Sequence, residues 1–411
     1  AQGMREAGRF GLGAVEPEVD FAAVMDHVAE VIAGIAPHDS QERFEGLGVR
    51  VIRGHARFVD RDAVEVNGER LTARRIVVAA GSRPFVPPVP GLAETGYLTN
   101  ETVFGLRERP EHLLILGGGP IGVELAQAFR RLGSRVTLVE GDAILGREDP
   151  ESVEVVRAAL LREGVTLREG GTVEEAGADD TGPWLLIGED RIAGSHLLVA
   201  TGREASVAGL NLAAAGVTGD AKGIAVDRRL KTANRHVFAI GDIVAEAPSF
   251  THVAGYHAGI VIRQAMLGLP AKADHSRIPR VTYTAPELAQ IGLTEAEARE
   301  THGAVQVIRE AMAGIDRARA ERETEGWIKL VLHRGRPVGV TIVGAQAGEL
   351  IAPWVQAMAA GTRLSTLSGL VIPYPTLSDL GKRAAGAYFS VKLFGNPWVE
   401  RVVRIIQRVV P

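Results

Sequence analysis

One segment of this chain, residues 113–140, constrains the fold more than any other. Four apolar residues lead into Gly-Gly-Gly-Pro-Ile-Gly, a helical stretch follows, and a second apolar run ends at Glu140. In such a strand, glycine turn, helix and strand, Gly117 permits a tight turn, Gly119 lets backbone N–H groups reach a pyrophosphate, and Gly122 lets the helix pack closely on the strand. The segment therefore predicts a dinucleotide-binding α/β unit. A purely structural glycine turn is the alternative, which the agreement of spacing, helix and terminal acid disfavours.

The acidic residue at the end of the second strand indicates which dinucleotide is bound. Glu140 lies 18 residues after Gly122, where a carboxylate accepts hydrogen bonds from a ribose 2′-hydroxyl. No arginine or lysine follows at Gly141 or Asp142 to bind a 2′-phosphate. We therefore predict NADH rather than NADPH as the nicotinamide cofactor.

A repeated pattern indicates a second unit of the same type. Residues 76–83 and 197–203 are both apolar strands that end in a small residue, a glycine and a nearby arginine. Each follows a hairpin-like segment, at 63–71 and 184–192. The repeat predicts one nucleotide-binding domain inserted in another, with chance similarity as the alternative. In the second copy the phosphate glycine precedes the strand-end glycine by 85 residues. The same offset in the first copy falls before Ala1, so we expect this sequence to begin after that phosphate loop.

A third apolar strand ends in a carboxylate. Residues 237–240 are followed directly by Gly241 and Asp242. A carboxylate at the end of a buried strand is unfavourable unless it is paired, so a hydroxyl-rich ligand or a helix N-terminus should meet it. This segment favours two nucleotide-binding domains over chance similarity.

The rest of the chain indicates a third domain. After residue 275, alternating segments at 327–332 and 337–343 and a helix at about 348–360 indicate an α+β domain. The predicted limits are 1–98 with 224–274 for the outer nucleotide-binding domain, 99–223 for the inserted domain, and 275–411 for the last domain.

Two charged segments of the last domain have their own interpretations. The stretch 316–325 is predicted to be a solvated loop. The tail from Trp398 to Val410 places valine and isoleucine near one helical face and Arg401, Arg404 and Arg408 elsewhere. We expect this helix to dock on its own domain or on a second subunit, with membrane contact as the less favoured alternative.

The composition excludes several classes of partner and site. The 46 basic and 50 acidic residues give a net charge of −4, which provides no general attraction to nucleic acid or to an anionic membrane. With no apolar run long enough for a membrane span and no signal-peptide pattern, we predict a soluble, cytoplasmic protein with small-molecule partners. The absence of cysteine excludes disulfides and thiolate sites within these residues. We predict no metal site, because His252 and His257, five residues apart, form no helical metal pair and are interpreted as structural or solvent-facing.

Five motifs, in the order 78–84, 117–124, 200–203, 239–242 and 374–379, resemble those of one family. This family is the class I pyridine nucleotide-disulfide oxidoreductases, which include glutathione reductase, lipoamide dehydrogenase and mercuric reductase. The resemblance covers essentially the whole chain. It implies an α/β fold with two Rossmann-like domains for FAD and NAD(P), one inserted in the other, and a carboxy-terminal α+β dimerisation domain.

The resemblance also implies roles for individual residues. Asp242 is expected to hydrogen-bond the sugar-alcohol chain of FAD, and Glu124 to lie where nicotinamide meets flavin. The segment around Tyr374 is expected to reach the partner subunit's active site in a homodimer. The candidate catalytic residues are Tyr374, Asp379 and Glu124, and the candidate cofactor-binding residues are Gly81, Ser82, Arg83, Gly117, Gly119, Pro120, Ile121, Gly122, Glu140, Thr201, Gly202, Arg203, Gly241, Asp242, Thr251, His252, Val253 and Ala254.

Three departures from the family pattern affect the expected chemistry. The first flavin phosphate loop and the redox cysteine pair are not in this sequence, so the usual electron path ends at the flavin. Tyr374 and Asp379 stand where the glutathione and lipoamide branches have a histidine paired with a glutamate. Tyrosine titrates at about 10 and is a poor base at neutral pH, so this position resembles the mercuric reductase branch. Simple packing at the dimer interface is the alternative for Tyr374. Pro120 replaces an aromatic residue that often covers the nicotinamide pocket.

Together, the motifs predict a homodimeric FAD-dependent oxidoreductase of the mercuric reductase-like or dihydrolipoamide dehydrogenase-like type. Hydride is expected to pass from NADH to flavin and on to a disulfide, metal-ion or quinone-type acceptor. The alternative is an inactive dimeric scaffold that binds NAD but lacks flavin and redox cysteines. The sequence leaves the electron acceptor open.

Overall fold

The computed structural model describes residues 1–394 and 397–409, and its first part consists of helices followed by an antiparallel sheet. The elements of this part are α1 (Gln2–Arg5), α2 (Phe21–Ile35), α3 (Gln41–Gly46), β1 (Arg57–Asp60), β2 (Ala63–Val66), β3 (Glu69–Thr72), β4 (Ile76–Val78) and β5 (Ser82–Pro84). Strands β1, β2 and β3 form the sheet, and β2 with β3 is the first predicted hairpin, which is thereby confirmed.

The inserted unit is a parallel sheet flanked by helices, as the glycine segment predicts. Its elements are β6 (His112–Leu116), α4 (Pro120–Arg131), β7 (Arg135–Glu140), α5 (Pro150–Arg162), β8 (Thr166–Glu169), β9 (Glu175–Asp179), β10 (Gly182–Ile187), β11 (Asp190–Ala193) and β12 (His196–Val199). Strands β12, β6, β7 and β8 lie in this order and run parallel. Every residue of β6 is buried, as expected for a central strand covered on both faces. Strands β10 and β11 form the second predicted hairpin.

After the insertion the chain returns to the first unit. The elements of this return are β13 (Arg203–Ala205), β14 (Gly219–Asp220), β15 (Gly223–Ile224), β16 (Val237–Ala239) and α6 (Thr251–Ala265). Strand β16 pairs in parallel with β4, and β13 pairs antiparallel with β5. The strands that precede Gly81 and Gly241 therefore lie side by side, which confirms that one unit is inserted in the other.

The apolar core of the first unit contains residues from both sides of the insertion. Phe58 and Val78 belong to the same cluster as Ala205, Val217 and Val237. The segment from 205 to 217 thus packs with the first unit, although the predicted limit of the inserted domain is residue 223. The domain limits stay a prediction, and this packing favours an earlier end for the inserted domain.

The last part of the chain forms the predicted α+β domain. Its elements are β17 (Arg280–Thr282), β18 (Glu287–Gly292), α7 (Glu295–His302), β19 (Gln306–Ala311), α8 (Asp316–Glu321), β20 (Trp327–His333), β21 (Arg336–Gly344), α9 (Ala347–Leu350), α10 (Ala352–Ala360), α11 (Leu364–Ser368), α12 (Asp379–Phe394) and α13 (Pro397–Val409). The strands form an antiparallel sheet in the order β17, β18, β21, β20 and β19. The predicted strands at 327–332 and 337–343 are its neighbours β20 and β21.

The prediction of a solvated loop at 316–325 is wrong for residues 316–321, whereas residues 322–325 are exposed and lie outside helices and strands. Residues Asp316–Glu321 form α8, and Ala318 is fully buried in the core of the last domain. Alanine between charged residues allows one narrow face of a short helix to pack, while Arg317 and Glu321 form an ion pair one turn apart.

A buried ion pair joins the inserted unit to the last domain. The side chain of Lys329 in β20 is only 1% exposed, and its Nζ lies 2.8 Å from the carboxylate of Asp149. Asp149 also caps α5 by accepting a hydrogen bond from the N–H of Ser152 over 3.2 Å. Because breaking such a pair leaves a charge uncompensated in the interior, the two domains are fastened together at this point.

Candidate functional site

Three side chains meet beside the ends of β4 and β16, and we call Ser82, Arg203 and Asp242 the strand-end cluster. The Ser82 hydroxyl donates a hydrogen bond to Asp242 Oδ2 over 2.8 Å. Arg203 donates from Nε to the same hydroxyl over 2.6 Å and from Nη2 to the Ser82 carbonyl oxygen over 2.8 Å. Its Nε lies 3.7 Å from Asp242 Oδ2. Asp242, the carboxylate for which the sequence predicts partners, therefore has two, Ser82 and Arg203.

The carboxylate of Asp242 retains capacity for a ligand. Its Oδ1 accepts no hydrogen bond from any residue in the described part of the chain, and an ionised carboxylate offers about four acceptor positions. The preceding Gly241 has φ 72°, a conformation that favours glycine and turns the chain sharply before Asp242. The cluster can therefore accept hydrogen bonds from the hydroxyl groups of a bound molecule.

The first turn of α6 lies against the strand-end cluster. A Cβ placed on Gly241 would be 3.2 Å from the Cβ of Ala254, so the helix and the turn are in close contact. No side chain caps α6 at Thr251. The uncapped N–H groups of a first turn carry partial positive charge, which favours an electron-rich ligand.

The other predicted residues of this turn have structural contacts. Val253 is fully buried. His252 stacks on Phe250 with ring centroids 5.2 Å apart, and its Nε2 lies 3.0 Å from the carbonyl oxygen of Pro279. All four predicted residues, Thr251, His252, Val253 and Ala254, thus lie in a single helical turn at the cluster.

A buried pair of histidines supports the turn at Gly241. His257 is fully buried, and its Nδ1 accepts a hydrogen bond from the N–H of Gly241 over 3.1 Å. Its Nε2 lies 2.8 Å from Nε2 of His275. Because Nδ1 of His257 is an acceptor, the neutral ring carries its proton on Nε2 and donates it to His275. Burial and the neighbouring His275 lower the pKa of His257 to about 4.

The sequence predicted a structural role for His257 but did not predict its contact with His275. The structural interpretation of His257 is correct and the solvent-facing one is wrong. His257 follows Ala254 by three residues, so both lie on the helical face that meets Gly241. This spacing could have indicated that His257 contacts the turn at Gly241. No such spacing indicates His275, because it lies outside the helix.

The glycine turn of the inserted unit has the predicted geometry. Gly117 has φ 112°, and a Cβ there would lie 2.5 Å from the carbonyl oxygen of Ala200. A Cβ on Gly122 would lie 2.0 Å from the carbonyl oxygen of Gly117, so α4 sits directly on the turn. By contrast, a Cβ on Gly119 would have no atom within 4 Å. The turn is therefore closed on its sheet side and open at Gly119.

The start of α4 and Glu140 flank this open position. Gly119 precedes the helix without a side-chain cap, and Pro120 and Ile121 are its first two residues. Glu140 Oε2 accepts a hydrogen bond from the N–H of Gly118 over 2.6 Å. The carboxylate at the end of β7 is thus fixed against the turn, and its contact with a ribose hydroxyl stays a prediction.

Glu124 bridges the inserted unit and the last domain. It lies on α4, one half-turn beyond Gly122, and accepts a hydrogen bond from the N–H of Tyr283 over 2.8 Å. Burial raises the pKa of the half-buried Glu124 carboxyl above its ordinary value, and the Tyr283 bond partly opposes this. A carboxyl of this kind can hold a proton closer to neutral pH than an exposed one.

The structure gives Tyr374 and Asp379 separate partners. The exposed Tyr374 hydroxyl donates to Asp316 Oδ2 over 3.0 Å, which raises the pKa of this phenol. Asp379 pairs instead with Arg383, one turn along α12, at 2.6 Å. Asp316 was missed because the sequence interpretation assigned it to a loop.

Three further predicted residues lie near the cluster without joining it. Arg83 pairs with Glu204 at 2.7 Å. The Thr201 hydroxyl donates to the carbonyl oxygen of Phe85 over 2.8 Å, and the Gly202 carbonyl accepts from the N–H of Phe85 over 3.0 Å. These contacts stabilise the antiparallel pairing of β5 with β13. Gly81, with φ 67°, turns the chain towards Ser82.

Comparison with known families gives two matches. Residues 19–258 match the model described as pyridine nucleotide-disulphide oxidoreductase. Residues 278–385 match the model of the dimerisation domain of the same family.

Individual relatives cover most of the chain. A mercuric reductase of Streptomyces lividans is 34% identical over 401 residues, which are 94% of this chain and 84% of the relative. A dihydrolipoyl dehydrogenase of Thermus scotoductus is 36% identical over 400 residues, 93% of this chain and 84% of the relative.

Among solved structures, the flavoprotein disulfide reductase RclA of Escherichia coli, as its Cu(II) complex, matches with a TM-score of 0.83 and 27% identity, over 93% of this chain and 88% of its own. LpdA of Mycobacterium tuberculosis matches in fold with a TM-score of 0.85 at 23% identity, over 94% of this chain and 86% of its own.

Proposed function

Because the chain belongs to the pyridine nucleotide-disulphide oxidoreductase family, we propose that it oxidises NADH and passes the electrons through FAD to a small-molecule acceptor. The acceptor is a disulfide, a metal ion or a quinone. Members of the family depend on FAD and use NAD(P)H. The observation that carries the proposal is the strand-end cluster beside the uncapped start of α6, since it combines a hydroxyl-binding carboxylate with a positive helix end.

The residues of the first unit fit FAD. When bound, FAD supplies a carrier for the two electrons of a hydride. Asp242 would accept hydrogen bonds from its sugar-alcohol hydroxyls, while Ser82 and Arg203 hold this carboxylate in one orientation. The N–H groups of Thr251 and His252 would stabilise negative charge on the flavin ring, while those of Val253 and Ala254 donate to the carbonyl oxygen of Phe250.

NADH is the hydride donor that the inserted unit supports best. The open space at Gly119 leaves room for a pyrophosphate at the start of α4. Glu140 stands where ribose hydroxyls would bind, and Gly141 and Asp142 offer no cation for a 2′-phosphate. These features favour NADH over NADPH.

Replacing Glu140 tests this preference. We expect Glu140→Ala to weaken NADH binding by about 1–3 kcal/mol, because the ribose hydroxyls lose a charged acceptor. Asp142→Ala, which removes an adjacent acid of equal charge, is the matched control and should change little. A fluorescence titration that gives Glu140→Ala the NADH affinity of the unaltered protein removes Glu140 from the site.

Glu124 and Tyr374 are the proposed catalytic groups of this chain. Glu124, whose pKa burial raises above its ordinary value, would lie where the nicotinamide meets the flavin. Tyr374, whose phenol is kept protonated by Asp316, would not act as a base, and it would donate a hydrogen bond in a homodimer only after its hydroxyl turns away from Asp316. Asp379 would support this segment through Arg383.

The proposal is tested by the visible spectrum of the purified chain and by its anaerobic reaction with NADH. We expect flavin absorption bands that bleach on adding NADH and return on adding an acceptor. Mercuric ion, a lipoamide-type disulfide and a soluble quinone, tested separately, identify the acceptor class. The absence of any cysteine favours the inactive NAD-binding scaffold as the second candidate. A colourless protein that binds NADH would support the scaffold over the enzyme.

A further inference from the structure

Helix α13, Pro397–Val409, has two sharply different faces. At about 100° per residue, its apolar side chains fall within an arc of about 160°. This apolar face consists of Trp398, Val399, Val402, Val403, Ile405, Ile406 and Val409. A face this wide is broader than the narrow seam by which two helices form a coiled coil.

The opposite face of α13 is basic. Arg401, Arg404 and Arg408 lie on it, with Glu400 and Gln407 at one side. Glu400 lies 3.5 Å from Arg404, but both side chains are more than half exposed, so this pair neutralises little charge. The helix therefore carries a formal charge of +2 on a chain whose net charge is −4.

The apolar face of α13 is exposed in this chain. Trp398, Val403, Ile405, Ile406 and Val409 are between 43% and 75% exposed, whereas the half-buried Val399 and Val402 are on the side towards the rest of the domain. The predicted docking of this helix on its own domain is therefore limited to Val399 and Val402, and docking on a second subunit stays a prediction. Val410, the last residue of that prediction, lies outside the described residues. Helix α13 also lies beyond residue 385, where the match to the dimerisation domain ends.

We propose that α13 is a surface anchor that attaches the protein to an anionic lipid bilayer. A wide apolar face, a basic opposite face and a tryptophan are the features of helices that lie in the membrane–water interface. Within residues 1–394 and 397–409, every helix is too short or too polar to traverse a bilayer, so attachment is peripheral.

Charge favours a lipid surface over a second copy as the occupant. When the apolar face of α13 lies in the interface, the helix is at the level of the headgroups, so its long arginine side chains can reach the lipid phosphates. Packing against a second α13 would instead bring two helices of charge +2 together and leave the arginines without a function.

Vesicle co-sedimentation of the full chain tests the anchor. We expect binding to vesicles of phosphatidylcholine with phosphatidylglycerol, weaker binding to phosphatidylcholine alone, and loss of binding as salt is raised. Replacing Arg401, Arg404 and Arg408 together by glutamine should weaken binding to anionic vesicles by roughly 100-fold, and replacing all three by lysine should restore it. Ile405→Asp with Ile406→Asp should abolish binding to either vesicle.

A matched control keeps the result specific. The exposed arginines of the first unit, Arg50, Arg57 and Arg70, can be replaced by glutamine to give the same change in net charge. This variant should retain near-normal vesicle binding. Equal binding to neutral and anionic vesicles, or no binding to either, overturns the proposal. A change of oligomeric state in the Ile405→Asp, Ile406→Asp variant, measured by analytical ultracentrifugation without vesicle binding, also overturns it and assigns the face to a second copy.

Discussion

The two copies of the repeated strand end place their arginines in opposite surroundings. Arg83, in the first copy, is 60% exposed and pairs with Glu204 on the surface. Arg203, in the second copy, is only 25% exposed and binds Ser82 beside Asp242. The reason is the antiparallel pairing of β5 with β13, which sets Glu204 opposite Arg83 and Ala205 opposite Ser82. The second copy thus contributes Arg203 to the site of the first copy. Arg83 and Arg203 occupy equivalent sequence positions but have different roles.

The two units also build their sites from different parts of the chain. The inserted unit relies on backbone: glycines that allow close approach and the free N–H groups of α4. The first unit, as described, relies on the side chains of Ser82, Arg203 and Asp242. Substitutions should therefore act through steric fit in one unit and through hydrogen bonding in the other.

The largest effect is expected from crowding the backbone-built site. Gly122→Ala should lower the free energy of unfolding by about 3 kcal/mol or more, because its Cβ would lie 2.0 Å from the Gly117 carbonyl oxygen. Gly119→Ala should change stability by less than about 0.5 kcal/mol, since its Cβ would meet open space, and should weaken NADH binding. Denaturant unfolding and NADH titration of both variants measure these effects. Equal stabilities for the two variants would contradict the description of the turn.

A smaller effect is expected from the side-chain-built site, and the two arginines provide matched variants. Arg203→Ala should weaken flavin binding by about 2 kcal/mol, roughly 30-fold, because Ser82 and Asp242 lose a charged donor. Arg83→Ala should change it by less than about 0.5 kcal/mol, since an exposed ion pair contributes little. Fluorescence of released FAD measures both affinities. A similar loss of FAD affinity in the two variants would show that Arg83 and Arg203 have the same role.

A third effect, which grows as the pH falls, is a dependence of the first unit's stability on pH. The folded-state pKa of His257 is lowered to about 4, so between about pH 6.5 and 4 the unfolded chain takes up a proton that the folded chain does not. The stabilisation is complete above about pH 6.5 and is lost as the pH falls, by about 2 kcal/mol at pH 5 and about 3 kcal/mol at pH 4.

Comparing variants isolates the contribution of His257 to the pH dependence of stability. His257→Asn should flatten the fall in stability between pH 7 and pH 4 relative to the unaltered protein, even if it is less stable at every pH. The exposed His38, replaced by asparagine, is the control and should leave the slope unchanged. Denaturant midpoints across this range give the slopes, and an unaltered slope in His257→Asn rules out the histidine as its source.

The predictable parts of the molecule are those encoded locally. The glycine turn, α4 and Glu140 follow from adjacent residues and fixed spacings, and the structure has them as predicted. Arg203 and Ser82, by contrast, are 121 residues apart and meet only through the register of β5 and β13. The sequence identified both as site residues through the family resemblance but did not predict their contact. The partner of Tyr374 was missed because Asp316, which lies 58 residues away, was assigned to a solvated loop.

The contacts of Lys329 decide how firmly one boundary in the molecule is closed. Parting the inserted unit from the last domain would break the bonds of Lys329 to Asp149 and Glu151 and leave Glu295, 3.6 Å away, as its remaining carboxylate. Losing the partners of a buried charge costs about 3–5 kcal/mol, so this boundary should open rarely. A shift of β5 against β13 would instead move Arg203 relative to Asp242, so the arginine that orients this carboxylate depends on the strand that follows the inserted unit.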